Sequence, residues 1–208
     1  MTALTPANQL TLLRVLLVPA FVILIVYGYL GSALIVFGTA GLTDMLDGLL
    51  ARRTGQSSLG AWLDPMADKL LLVSAFIVLT MPGLGLANRL PIWLTILIIS
   101  RDVVIVLTVA IVNLAIGRRT FRPSVFGKIA TATYIVTVVV AMFFNYRGYH
   151  SAIVDFFIYT SLVITLVSSL HYIRHAAKII EAPAAPAGVP RMQQARAQEE
   201  ATKTSISR

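Results

Sequence analysis

The chain contains no cysteine. That removes disulfide staples and thiolate metal ligands, so a metal would have to be held by oxygen or imidazole. Imidazole is scarce as well. The three histidines, His150, His171 and His175, all fall late in the chain; they form no ligand set with the acidic residues and read as interfacial or tail side chains. Charged residues make up only 12% of the 208, and nine are acidic. What fills the space is apolar: 57% of the sequence, with a mean hydropathy of +0.82. Such a composition points to an integral membrane protein. The net charge of +8 then belongs to cytoplasmic loops facing anionic lipid rather than to a nucleic-acid surface.

About twenty apolar residues cross a bilayer as a helix. Six runs qualify: residues 10–30, 32–50, 63–81, 90–116, 125–145 and 152–173. The first is too long for a signal-peptide core and lacks a small-residue cleavage site, so it is expected to stay in the mature protein. Helix-breaking residues separate the runs: Gly31, then ARRTGQSSLG, PGLGLANR, GRRTFRPS and NYRGYHS. Arg52 and Arg53 follow the second run, Arg118, Arg119, Arg122 and Lys128 surround the junction of the fourth and fifth, and Arg174 and Lys178 follow the sixth. The opposite loops hold only Arg89 and Arg147. Positive charge accumulates on the cytoplasmic side, so both termini are expected there. The fold expected is an all-α integral membrane protein with six transmembrane helices. Residues 181–208, rich in Ala, Pro and polar side chains without apolar period, read as a disordered cytoplasmic tail.

Four of the nine acids, Asp44, Asp47, Asp64 and Asp68, fall between positions 44 and 68, at the cytoplasmic ends of the second and third spans. Spacings of three and four put each pair on one face of its helix. Clustered carboxylates near a bilayer are costly unless a positive charge lies between them. A divalent cation provides one, and an all-oxygen Asp set suits Mg²⁺ or Mn²⁺, which shares its coordination with substrate phosphates. Gly48, Gly55 and Gly60 leave backbone room for a ligand, and Arg52 is placed to meet a diphosphate. These residues alone leave two other readings open: salt bridges to Arg52, Arg53 and Lys69, or an ion path in a membrane transporter.

The stretch DMLDGLLAR, followed by Gly60, Asp64 and Asp68, resembles the signature of the CDP-alcohol phosphotransferases, D-x-x-D-G-x-x-A-R, a spacer, then G-x-x-x-D-x-x-x-D. All eight fixed positions are present, as Asp44, Asp47, Gly48, Ala51, Arg52, Gly60, Asp64 and Asp68. Residues 8–14, NQLTLLR, look like the short amphipathic segment that leads into these enzymes, and residues 1–180 would form their membrane domain. The spacer departs from the pattern: seven residues, 53–59, stand where the family usually has eight or nine, which tightens the turn. The resemblance implies that Asp44, Asp47, Asp64 and Asp68 bind Mg²⁺ or Mn²⁺, that Asp68 is also the general base, and that Gly48, Ala51, Arg52 and Gly60 line the CDP site. It further implies a homodimer in a bacterial inner membrane, with the active site on the cytoplasmic side.

The implied reaction is attack of an alcohol on CDP-diacylglycerol with release of CMP. Within the family, LDPMADKL and its Lys69 look most like the phosphatidylglycerophosphate synthases, whose acceptor is glycerol 3-phosphate. An anionic acceptor calls for cations, and Arg101, Arg118, Arg119, Arg122 and Lys128 are the candidates. Some of them have a plainer reading, Arg118, Arg119 and Arg122 as lipid-facing loop charges and Arg101 as compensation for Asp102. The stretches SRDVVIV and RPSVFGK also resemble cardiolipin synthases of this fold, whose acceptor is phosphatidylglycerol.

Overall fold

The computed structural model describes residues 6–54, 60–116 and 125–181; for 6–8, 10, 44–54, 60–65, 109, 112–116 and 175–181 the backbone course alone is described. Each apolar run forms a helix: α1 Pro6–Val26, α2 Leu30–Thr54, α3 Gly60–Thr80, α4 Ile92–Ile116, α5 Val125–Arg147 and α6 Ala152–Glu181. Residues 118, 119 and 122, the spacer residues 55–59 and the tail from 182 onward lie outside the described residues. Two helical stretches among the described residues, Val125–Arg147 and Ala152–Arg174, are long and apolar enough to cross a membrane by length and composition.

The helix ends follow local chemistry rather than the limits of the apolar runs. The first break comes at Gly28, not Gly31. Gly28 adopts φ 79°, its N–H bonds Ile25 O at 2.9 Å and the Tyr29 N–H bonds Leu24 O at 2.8 Å, the pair of bonds that closes a Schellman cap. Gly31 instead sits inside α2, where an added Cβ would come 2.8 Å from the Tyr146 ring. The sixth helix runs past residue 173 to Glu181, because HAAKIIE keeps good helix formers after the apolar period has ended.

α1 packs along both α2 and α3, while those two touch each other sparingly. α5 packs on α6 and α2, and α4 on α6 and α3. The core between them holds Phe21, Phe37, Phe76, Leu79, Leu94 and Tyr134 among others. Phe21 meets Phe37 at 5.6 Å between ring centroids, and Phe76 meets Tyr134 edge-on at 6.1 Å. Hydroxyl pairs join neighbouring helices: Thr80 with Thr95 at 2.6 Å, Tyr134 with Thr165 at 2.6 Å and Thr137 with Ser161 at 2.8 Å. Such bonds satisfy polar groups that an apolar surround would otherwise strand.

In the first part of α1 two polar residues face inward, while Gln9 faces outward. Thr11 and Arg14 are buried while Leu12, Leu13 and Leu16 are exposed. It is continuous with the rest of α1 rather than a separate segment.

Candidate active site

Asp44, Asp47, Gly48, Ala51 and Arg52 lie in the second half of α2, and Gly60, Asp64 and Asp68 in the first half of α3. The helical backbone turns sequence spacing into direction: Asp44 and Asp47 are about 60° apart around their axis, Asp64 and Asp68 about 40°. With about 1.5 Å of rise per residue, Asp47 stands roughly 10 Å before the end of α2 and Asp68 roughly 12 Å beyond the start of α3. Both pairs thus sit toward the end of α2 and the start of α3 that are consecutive in the sequence. Among the described side chains no three acids or histidines come together; the side chains of Asp44, Asp47 and Asp64 are outside that set.

Asp68 is inside it, and it pairs with Arg14 of α1. Arg14 Nη1 donates to Asp68 Oδ1 at 2.7 Å. The two side chains differ sharply in access, 0% exposed for Arg14 and 41% for Asp68. A buried guanidinium is costly unless paired, and this carboxylate supplies the counter-charge while keeping part of its surface open to a ligand. Thr11, one turn before Arg14, is buried on the same stretch of α1. Arg14 was not among the site residues expected from sequence. An arginine within an apolar helix demands a partner, and that requirement, set beside four clustered acids, is the signal that could have found it.

A second charged group links α3, α4 and α6. Asp102 takes a hydrogen bond from Arg101 Nη1 at 2.8 Å and an ion pair from Lys69 Nζ at 3.3 Å. Arg101 Nη2 donates to Ser168 Oγ at 2.8 Å, and its Nε is buried with no partner among the described residues. Arg101 and Asp102 therefore do compensate one another, and they do so together with Lys69, the residue next to Asp68. Lys128 is exposed one turn into α5. Arg118 and Arg122, also expected at an acceptor site, lie outside the described residues. His171 lies against the Phe126 ring, 4.7 Å between centroids, and His150 stands 3.7 Å from Asp155 beyond the other end of α5; the side chain of His175 is not among those described.

The chemistry of this donor set fits a hard divalent cation: carboxylates alone, two pairs on consecutive helices.

Residues 4–169 match the CDP-alcohol phosphatidyltransferase family. A protein of Mycobacterium tuberculosis (strain CDC 1551 / Oshkosh) named "Probable phosphatidylglycerophosphate synthase" is 40% identical over 144 residues, covering 66% of this chain and 64% of that protein. The human "Cardiolipin synthase (CMP-forming)" is 32% identical over 199 residues, covering 85% of this chain and 64% of its own. A "CDP-diacylglycerol--glycerol-3-phosphate 3-phosphatidyltransferase" of Haemophilus influenzae is 31% identical over 175 residues, covering 80% of this chain and 90% of that protein. The chain thus spans a little under two thirds of the mycobacterial and human relatives and nearly all of the Haemophilus one. With the eight signature positions on α2 and α3 and the family match running from the first helix into the last, the chain belongs to the CDP-alcohol phosphatidyltransferase family.

Proposed function

We propose that the protein transfers the phosphatidyl group of CDP-diacylglycerol to glycerol 3-phosphate, giving phosphatidylglycerophosphate and CMP. The observation that carries this reading is the complete set of signature residues on two consecutive helices, with the last aspartate held by a buried arginine and still accessible. Similarity to relatives named for this reaction supports the choice of acceptor.

Asp44, Asp47, Asp64 and Asp68 would hold Mg²⁺ or Mn²⁺. The metal would supply positive charge against the phosphoryl oxygens. Gly48, Ala51, Arg52 and Gly60 line the CDP site, where small residues give the nucleotide room and Arg52 meets the diphosphate. Asp68 accepts the proton of the attacking hydroxyl. The new bond joins that oxygen to the lipid-side phosphorus, and the bond from this phosphorus to the CMP oxygen breaks. Lys128, Arg101, Arg118 and Arg122 bind the phosphate of the acceptor.

All six helices span the membrane in this reading. Exposed large apolar side chains on every helix, among them Leu16, Ile35, Ile77, Ile96, Ile135 and Phe156, support it. So do Tyr27, Tyr29, Trp93, Tyr146 and Tyr149, exposed at the end away from the aspartates, as aromatic side chains are at a bilayer interface. In the same reading the aspartates and both termini are on the cytoplasmic side of a bacterial inner membrane, which the clustering of Arg and Lys in the sequence between the second and third and the fourth and fifth helices supports, and the active unit is a homodimer. The segment after residue 181 is a cytoplasmic tail.

Phosphatidylglycerol is the second acceptor to test, because the human relative that covers 85% of this chain is named as a cardiolipin synthase. Family membership leaves the ion-transport alternative without a supporting observation. The deciding experiment is CMP release by the purified protein with CDP-diacylglycerol and Mg²⁺, run in parallel with glycerol 3-phosphate, phosphatidylglycerol and inositol phosphate. Release with glycerol 3-phosphate alone is expected. Release with phosphatidylglycerol alone would replace the reading by cardiolipin synthesis.

A further inference from the structure

Arg14 is the bulkiest side chain in the protein's described interior to be fully buried, and it comes from α1, outside the signature stretch. We infer that Arg14 is a positioning residue: it sets the orientation of the Asp68 carboxylate from behind, without touching substrate. This rests on the phosphatidyltransferase reading above.

Three observations lead there. Arg14 is 0% exposed, so a substrate phosphate arriving from the open side of the site meets Asp68, at 41%, and not the guanidinium. The bond from Nη1 to Oδ1 is short, 2.7 Å, and its donor is a planar group that the surrounding core prevents from swinging. An aspartate has two side-chain torsions, so one such bond to an immobile partner fixes the direction of the carboxylate's exposed edge. Finally, α1 is the element that packs along both α2 and α3, the helices carrying the two halves of the acidic set, whereas these touch each other little. A cation on α1 is therefore built into the frame that the two halves share.

A displaced general base is costly: a misplacement of about 1 Å lowers turnover by roughly 10²-fold. The test begins with wild-type CMP release, followed by Arg14→Met and Arg14→Lys with size-exclusion profiles and melting curves in detergent. Arg14→Met is expected to lower kcat by about a hundredfold with the KM of CDP-diacylglycerol and of the acceptor changed less than about threefold. Arg14→Lys, which retains a charged donor, is expected to restore about tenfold of that loss. If Arg14→Met does not fold, a double-mutant cycle of R14K with D68E decides, read both in kcat and in the melting temperature of the metal-free protein. A shorter cation and a longer acid partly offset each other, so the double variant should lose less than the product of the two single losses.

Folded Arg14→Met with wild-type kcat would overturn the role, as would a raised KM with kcat intact, which marks a substrate-binding arginine. Multiplicative losses in the cycle would also overturn it. A wild-type protein silent with every acceptor would overturn the functional reading and this role together, which separates that failure from a failure of Arg14 alone.

Discussion

Asn88 and Asn145 exchange two hydrogen bonds across the end of the bundle away from the aspartates. The Asn88 backbone N–H donates to Asn145 Oδ1 at 2.6 Å, and Asn145 Nδ2 donates to the Asn88 carbonyl at 3.0 Å. The Asn88 side chain extends the clamp, with Nδ2 donating to Tyr149 O at 2.8 Å and Oδ1 accepting from the Ser151 N–H at 2.9 Å. One residue of the α3–α4 connection thus ties down the α5–α6 turn. Both asparagines are buried, so the clamp satisfies backbone groups that would otherwise be stranded.

Asn145→Ala leaves the N–H and C=O of Asn88 without partners in a buried place. A loss of about 2–4 kcal/mol is expected, one to two for each stranded group. Thermal melting in detergent measures it; kcat of the protein that remains folded should stay near wild type, since Asn88 lies beyond the end of α3, which Asp68 precedes by twelve residues.

Asp68→Asn keeps an acceptor oxygen for Arg14 but cannot take a proton from the acceptor hydroxyl. CMP release should fall by about 10²–10⁴-fold, with the size-exclusion profile unchanged. Retained turnover in that variant would remove Asp68 as the base.

Lys128→Ala should raise the KM of the acceptor far more than that of CDP-diacylglycerol. Lys128 is exposed on α5, away from the signature segments of α2 and α3 in sequence, and a cation that binds only the acceptor phosphate contributes nothing to holding the nucleotide. Equal changes in both KM values would refute the assignment.

Asp102→Asn removes the charge shared by Arg101 and Lys69. Arg101 is 9% exposed and Asp102 21%, so the pair is mostly buried and the loss should be about 2–3 kcal/mol, below the full cost of breaking a buried pair because Lys69 is half open to solvent. Melting curves report the stability. A rise in acceptor KM alongside would mark Arg101 as part of the acceptor site, since Asp102 and Ser168 together hold its guanidinium.

Removing divalent metal with a chelator should stop CMP release, and added Mg²⁺ or Mn²⁺ should restore it, because under the proposed function the four signature acids, all of one sign, need a cation to bind an anionic diphosphate. Turnover that survives chelation would exclude the metal from the reaction.

Hydropathy and spacing in the sequence determine the number of helices, their approximate limits and the identity of the aspartate signature. Apolar runs of about twenty residues have few alternatives to helix, and spacings of three and four have one meaning on a helix. Exact ends were not legible, since a single glycine in the left-handed region, Gly28, ends α1 where the apolar pattern continues. The tertiary structure alone decided the partners that lie far apart in the sequence. Arg14 and Asp68 are 54 positions apart, and Arg101 and Ser168 are 67 apart; no local period connects them. Those pairings follow from how α1 lies along α3 and α4 along α6. A buried charge has to be matched by whatever helix packing brings within about 3 Å, and packing is a property of whole helix faces that the linear order does not record.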